Sequence, residues 1–176
     1  GPLDPIASTD VQDPMSAVGS DKSNGEQKKF LTPKLCFILG PGLVRGFAHA
    51  GVLEVLSKAK IPTDCVLGME MGAVVAGLYA FWNNTNSLQW ELFKIGQDQY
   101  LNRPMLSLRS TSLSNTNKMR QLFYSQLSTK KISDLKLPFY GFFSSLKDGG
   151  IRRFEENTGM VEALLVAIAV PGIFEP

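Results

Sequence analysis

The residues that could carry out chemistry lie in two glycine-containing junctions, each placed between an apolar run and a helix-like pattern. The second junction reads Gly68-Met69-Glu70-Met71-Gly72. It has the form of a nucleophile elbow, in which the flanking glycines permit a sharp turn and the central side chain projects into solvent. The central residue is Glu70, a carboxylate where such elbows carry a nucleophile such as serine. The junction therefore predicts where a catalytic site would lie, without its usual nucleophile.

Glu70 lacks the chemistry of that nucleophile. Its carboxylate is already ionised at neutral pH, and attack on an ester would form an anhydride uphill in energy. A carboxylate nucleophile of the kind that acts on alkyl carbons would also need a histidine base, and the sequence has a single histidine, His49. His49 lies between two alanines in a predicted helix, which favours a packed, hydrogen-bonded role.

The first junction would cradle an anion through its backbone N–H groups. Its positions are Gly40, Pro41, Gly42, Leu43, Arg45 and Gly46. Proline has no N–H to donate, and Leu43 places a side chain where a substrate should approach. The loop is therefore expected to keep its fold while offering fewer N–H donors to an anion.

A structural role for Glu70 follows from its place immediately before a predicted helix. Free N–H groups and the helix dipole favour an anion there. We expect the carboxylate to accept hydrogen bonds from the N–H groups of Gly42, Leu43 or Met71. It would then fill the space of a substrate oxyanion and plug the pocket with the protein's own side chain.

The elements that must position these junctions alternate between strand and helix, which predicts an α/β domain with a mostly parallel sheet covered by helices. Strands are predicted at Leu35–Leu39, Cys65–Leu67 and Leu137–Phe143, with a hairpin return at Ile151–Phe154. Helices are predicted through Phe47–Leu56 and at Ala73–Ala80, Ser87–Gly96, Asn117–Leu127 and Val161–Val170. The segment Tyr100–Ser114 is predicted to be irregular.

The combination of motifs resembles the patatin-like phospholipases, whose pattern reads G-G-G-x-R-G, H-x-G-V-L and G-x-S-x-G. The matching residues are Gly42, Arg45, Gly46, His49, Gly51, Val52, Leu53, Ile61, Pro62, the elbow and Ala76–Ala80. The resemblance covers Lys34–Pro176 and implies a three-layer α/β/α fold with a mostly parallel central sheet. The family uses a Ser–Asp dyad with the glycine loop as oxyanion hole. Its three glycines become Pro41, Gly42 and Leu43 here. Because removal of one oxyanion donor typically costs about 100-fold to 1000-fold in rate, the resemblance implies a retained fold with an impaired oxyanion hole. This chain would be a degenerate member in which Glu70 replaces the serine.

The aspartate of the dyad is missing from its family position. In the family it lies in a D-G-G or D-G-A motif downstream of a run that resembles Ala167–Pro176, and this chain ends first. The resemblance therefore implies a domain truncated after that run. Asp148-Gly149-Gly150 has the right letters but precedes the run, so we interpret it as a hairpin turn.

Composition bounds the domain organisation and the compartment. A chain of 176 residues with 44% hydrophobic residues and a net charge of +2 predicts one globular domain, at 34–176. Residues 1–33 are interpreted as a tag remnant, Gly1–Pro14, followed by a disordered leader.

No signal peptide or apolar run of transmembrane length is seen, so cytoplasmic and processed periplasmic or secreted locations both stay open. Cys36 and Cys65 are predicted to be buried in strands without a disulfide.

These features favour a pseudoenzyme that binds a lipid or fatty-acyl group, or a protein partner. The alternative is a lipid acyl hydrolase, a phospholipase or esterase, with an atypical site or completed by residues beyond this chain.

The 18 Lys and Arg residues are scattered, which argues against a nucleic-acid partner. The modest basicity would suit a membrane surface, although an ordinary solvated surface is favoured. No cofactor motif or metal-ligand set is indicated. If the chain stops at Pro176, apolar surface around Val170, Ile173 and Phe174 predicts a homo-oligomer.

Overall fold

The structure, a computed structural model, describes residues 35–97 and 108–171. The predicted leader, part of the predicted irregular segment and the end of the terminal run therefore lie outside the described residues. The strands are β1 Cys36–Leu39, β2 Cys65–Met69, β3 Phe139–Ser144 and β4 Ile151–Arg153. The α-helices are α1 Ala48–Lys58, α2 Met71–Trp82, α3 Thr85–Gln97, α4 Leu108–Leu127 and α5 Met160–Ala167. Short 3-10 helices cover Leu43–Phe47 and Ile132–Asp134.

The four strands form one sheet in the order β1-β2-β3-β4. β1, β2 and β3 are parallel, and β4 returns antiparallel to β3 through the predicted hairpin. Leu39 lies opposite Gly68 at the carboxyl ends of β1 and β2. The mostly parallel α/β sheet predicted from the sequence is confirmed, and its register brings the two glycine junctions to the same sheet edge.

Helix α2 anchors the elbow in the core. Every residue from Met71 to Ala80 is buried, as the all-round apolar composition of this helix requires. Gly77 lets α5 approach closely, because a Cβ at this position would lie 3.0 Å from the Met160 Cε atom and 3.1 Å from Leu164 Cδ2. The middle of α2 is therefore held between the sheet and a second helix.

The two faces of the sheet have different surroundings. Along β1, Leu39 is buried in the core, whereas Ile38 is 77% exposed on the opposite face, as the alternation of a strand requires. Beside Ile38 lies a cavity of about 460 Å³ lined by Cys36, Ile38, Asp64, Cys65, Leu67, Pro138 and Tyr140. The described residues therefore leave this face of the sheet open.

Two predicted helix boundaries are wrong. Helix α4 begins at Leu108, so the later part of the predicted irregular segment is helical. Its first turns are rich in Ser, Thr and Asn and show no apolar period, but adding turns to an already packed helix costs little because propagation is cooperative. Helix α5 ends at Ala167 instead of Val170. The residue before a proline avoids helical backbone angles, which explains why Val170, before Pro171, lies outside the helix.

The prediction for the two cysteines is also wrong. Cys36 and Cys65 form a disulfide between paired residues of the parallel strands β1 and β2, with Cα atoms 4.6 Å apart. This separation suits a disulfide, for which about 4.4–6.8 Å is usual. Cys65 is buried as expected, but Cys36 is exposed because it opens the edge strand. The separation of 29 residues does not by itself indicate that the two cysteines pair.

Candidate functional site

The elbow has the backbone geometry that its sequence predicts. Glu70 joins β2 to α2 with φ 56° and ψ −128°, a conformation that strongly favours glycine. The flanking glycines are sterically required. A Cβ on Gly68 would overlap Ala73, and a Cβ on Gly72 would overlap the carbonyl oxygen of Leu39. The turn is therefore sharp because β2, α2 and the end of β1 are in direct backbone contact.

The carboxylate of Glu70 binds the glycine loop. Its Oε2 atom accepts a 2.7 Å hydrogen bond from the backbone N–H of Gly42, and Oε1 accepts a 2.9 Å hydrogen bond from the N–H of Leu43. Both hydrogen bonds were expected from the sequence. The same carboxylate makes no capping hydrogen bond to α2, so the expected alternative donor, Met71, is not used. Glu70 thus joins the carboxyl ends of β1 and β2.

The loop keeps two convergent donors despite its unusual sequence. Leu43 has φ 49°, in the left-handed region that favours glycine, and its N–H still points at Glu70. Pro41 is exposed and supplies no donor. The loop predicted to have an impaired oxyanion hole therefore still forms a two-donor anion site, and the anion it holds is a side chain of the same protein.

The remaining loop residues hold the loop in place. Gly46 is buried against the first residue of α2, since a Cβ here would lie 2.7 Å from the Cβ atom of Met71. The backbone N–H of Arg45 donates to the carbonyl of Gly42 at 3.0 Å, and the Arg45 side chain is exposed. These contacts fix the direction of the N–H groups of Gly42 and Leu43.

His49 has a structural position. Its Nε2 atom lies 3.0 Å from the carbonyl oxygen of Gly40, so the ring ties α1 to the start of the glycine loop. The hydrogen bond expected for a packed histidine is confirmed, and the residue is half-buried. With Nε2 donating to Gly40, this histidine is engaged in holding the loop.

Asp148 belongs to the hairpin, as predicted. Its Oδ1 atom accepts a 3.0 Å hydrogen bond from the N–H of Gly150, and its Oδ2 atom pairs with Arg152. Gly149 has φ 70°, which explains the glycine at that turn position. The hydrogen bond from Gly150, followed by one from the Ser145 side chain, holds the pKa of the Asp148 carboxyl below its usual range. These partners belong to the turn between β3 and β4.

The disulfide is the feature of this strand pair that sequence reasoning missed. One signal was present: each cysteine is the first residue of its strand, and each strand runs directly into a glycine junction. Aligning the two strands at their junctions would have placed Cys36 near Cys65.

Among residues 35–97 and 108–171, no group of three or more His, Cys, Asp and Glu side chains could hold a metal ion. The helices described here also include none long and apolar enough to cross a membrane.

The arrangement therefore pairs an elbow with an occupied anion site. The position of the nucleophile carries a side chain without a hydroxyl group, and both of its oxygens accept hydrogen bonds from the loop. An oxyanion entering the same two-donor site would meet a like charge.

Comparison with known proteins shows which family this chain is similar to. A family model described as patatin-like phospholipase matches residues 37–176. An uncharacterized NTE family protein of Mycobacterium bovis is 25% identical over 145 residues, which cover 82% of this chain and 40% of that protein. The patatin-like phospholipase domain-containing protein 6 of Mus musculus is 26% identical over 148 residues, which cover 78% of this chain and 11% of that protein. The chain thus spans less than half the length of these relatives.

A solved structure supports the same fold. The crystal structure of the type III effector protein ExoU matches with a TM-score of 0.53 and 14% sequence identity. The match covers 80% of this chain and 40% of that chain. At this identity the likeness concerns the fold alone.

Proposed function

Because the chain belongs to the patatin-like phospholipase family, we propose that it is a pseudoenzyme of that family, which binds a lipid or a protein partner without hydrolysing lipid esters. The observation that carries this proposal is the pair of hydrogen bonds from Gly42 and Leu43 to Glu70. In a family enzyme, N–H groups of this loop would stabilise the developing oxyanion. Here they are taken by a carboxylate that stands where the family has its serine.

A groove between α1 and α3 supports a lipid or fatty-acyl ligand. The groove has a volume of about 510 Å³ and is lined by Phe47, Ala50, Gly51, Gln89, Leu92, Phe93 and Gly96. This volume lies within the roughly 300–1,000 Å³ of small-molecule sites. Its lining carries no charged residue, and Gln89 donates a 2.5 Å hydrogen bond to Glu54, which joins the two helices. An apolar chain suits such a lining better than a polar ligand.

Two glycines inside the helices keep this groove open. Gly51 lies within α1 and Gly96 in the last turn of α3, and no atom of the described residues lies within 4 Å of the place where a Cβ would stand on either. A glycine inside a helix is about 1 kcal/mol less favourable than alanine. No close contact with a neighbouring residue requires glycine at these two positions. Their lack of a side chain instead leaves space in the groove, which supports a bound ligand there.

A fluorescent fatty acid tests the binding arm of the proposal. The wild-type protein should bind the probe, and Gly96→Leu, which fills the groove, should weaken binding about tenfold or more. The matched control is Val55→Leu, an exposed change on α1 outside the groove lining, which should leave binding unchanged. Equal affinity of all three proteins would exclude this groove as the site.

The open edge of the described sheet favours a second copy of this chain as the protein partner. β1 is an edge strand, and Ile38 is 77% exposed on it. Exposed edges and apolar surface tend to be covered by another chain. We expect a dimer or larger assembly by light scattering at micromolar concentration, and a shift toward monomer for Ile38→Lys. A wild-type monomer would contradict this part of the proposal.

Activity assays test the pseudoenzyme assignment. We expect no turnover of a short-chain nitrophenyl ester or of phospholipid above background, and no labelling by a fluorophosphonate probe. Glu70→Ser alone should also stay inactive, because Pro41 still withholds a donor and no aspartate partner is present in the described site. Strong rescue by this single change would show that the loop remains competent.

The alternative is a lipid acyl hydrolase, which the partial coverage of its longer relatives favours. Residues outside this chain would then supply the missing dyad partner. Fluorophosphonate labelling at an exposed serine such as Ser57 or Ser144 would support an atypical hydrolase. Absence of labelling, together with fatty-acid binding, would support the pseudoenzyme.

A further inference from the structure

The Cys36–Cys65 disulfide joins the same two strands that carry the candidate site. It lies at the amino ends of β1 and β2, and Glu70 joins their carboxyl ends through Gly42 and Leu43. Among the described strands, β1 lies at the edge of the sheet and pairs with β2 alone, over four register pairs. Only Phe37–Leu39 separates the disulfide from the start of the glycine loop. A change at Cys36 therefore acts on a short strand that leads directly into the loop.

The other ties at this end of β1 are weak. The backbone N–H of Leu35 donates to the Asp64 carboxylate at 2.7 Å, and the N–H of Asp64 donates to the carbonyl of Leu35 at 2.8 Å. The first of these hydrogen bonds is exposed to solvent, where water competes for both groups. The disulfide is thus the strongest link between the beginnings of the two strands.

In a single copy of this chain, the disulfide is open to attack from solvent. Cys36 is exposed, whereas Cys65 is buried. Both line the cavity of about 460 Å³ on the open face of the sheet. A thiolate in this cavity can therefore reach the sulfur of Cys36, with the sulfur of Cys65 as the leaving group.

We propose that this disulfide is a redox-controlled clamp, which holds β1 and the glycine loop against Glu70 while it is intact. A dithiol reductant attacks Sγ of Cys36, releases the Cys65 thiolate and forms a mixed disulfide with Cys36. The second thiol of the reductant then displaces Cys36 and leaves as a cyclic disulfide. Two electrons and two protons pass from the reductant to the two protein sulfurs.

Reduction should loosen the site locally. Without the covalent link, β1 keeps its four-pair ladder and the hydrogen bonds at its two ends, and an edge strand held this way opens more often. The loop moves with β1, so the N–H groups of Gly42 and Leu43 then separate from Glu70 more frequently. The two-donor anion site becomes available to other anions in the reduced protein and stays occupied by Glu70 in the oxidised one.

Thiol counting and hydrogen exchange test the clamp together. Protein purified without reductant and unfolded in denaturant should show no free thiol, and two after reduction. Amide exchange over residues 36–46 should become about tenfold faster or more on reduction, while α5 keeps its rates. The control is Cys36→Ser with Cys65→Ser, in which exchange over 36–46 should be fast and insensitive to the reductant. Because reduced wild-type protein carries no substitution, the test does not depend on the folding of the variant.

Three outcomes would overturn the proposal. Two free thiols in the air-exposed protein would show that the disulfide does not form in solution. Equal exchange over residues 36–46 in the oxidised and reduced proteins would show that the disulfide does not restrain the loop. Acceleration of the same size in α5 would indicate a general loss of stability instead of a local clamp.

Discussion

The Oε2 atom of Glu70 accepts a 2.7 Å hydrogen bond from the backbone N–H of Gly42, a residue 28 positions earlier in the chain. Gly42 belongs to the loop after β1, and Glu70 to the turn after β2. A single side chain therefore fixes the relative position of the two junctions from which a patatin-like site is built.

Glu70→Gln should destabilise the domain by about 1–3 kcal/mol. A glutamine side chain offers one acceptor oxygen and one NH₂ group, and the NH₂ group cannot accept the second N–H of the loop. Either Gly42 or Leu43 then loses its partner at a part-buried position. Denaturant unfolding at neutral pH measures the difference, with Glu155→Gln on the exposed surface as the matched control. Equal stability of wild type and Glu70→Gln would show that the hydrogen bonds contribute nothing.

Glu70→Gly should be more stable than Glu70→Ala by about 1–2 kcal/mol. Both variants lose the carboxylate, so their difference isolates the backbone conformation at φ 56° and ψ −128°. Glycine relieves about 1–3 kcal/mol of strain, of which roughly 0.4–1 kcal/mol is offset by the greater freedom of its unfolded chain. Thermal unfolding of the pair measures this difference. A more stable alanine variant would mean that the elbow relaxes when the side chain is shortened.

Gly72→Ala should destabilise the domain by about 1–3 kcal/mol or more, because its Cβ would overlap the carbonyl oxygens of Leu39 and Gly40. Gly51→Ala is the matched control. It also lies within a helix, but no atom lies within 4 Å of the added Cβ, so it should stabilise by up to about 1 kcal/mol. Denaturant midpoints compare the two variants. Similar midpoints would contradict the close packing of the elbow against β1.

Asp148→Asn should lower stability at neutral pH, with a difference from wild type that shrinks in acid. The Gly150 N–H, then the Ser145 side chain, lower the pKa of Asp148 in the folded protein. A carboxyl with a lowered folded pKa stabilises above its unfolded pKa, and this stabilisation is lost as pH falls through the folded value. The convergence should therefore occur below about pH 4. Unfolding measured at several pH values tests it, and Lys147→Gln, in the same turn, should show no such convergence.

The sequence predicted the parts of the fold that depend on short-range patterns. Apolar runs ending in glycine junctions located β1 and β2, and the glycines at 68 and 72 predicted an elbow that the backbone of Glu70 confirms. The hydrogen bonds from Gly42 and Leu43 could be anticipated because free N–H groups attract an anion at a strand-to-helix turn. Local chemistry was sufficient for these features.

Features that depend on strand register or on the propagation of a helix could not be predicted from short-range sequence patterns. The disulfide requires Cys36 and Cys65 to be exact register partners, and a one-residue shift would turn their side chains to opposite faces. The early start of α4 at Leu108 depends on helix propagation through polar residues, which leaves no apolar period. The donors retained by the loop depend on Leu43 adopting a left-handed conformation that residue type alone does not favour.

The order of the strands also governs how the domain can assemble during synthesis. Each strand pairs with the strand that precedes it in the chain, so none has to insert between two strands already formed. A ribosome releases the amino end first, and β2 can therefore pair with β1 before β3 and β4 have been made. Three helices, α2 to α4, are then translated before β3 can dock on β2. The pairing of Glu70 with the loop lies entirely within the early part of the chain, so the site can be complete while the outer half of the sheet is still to be made.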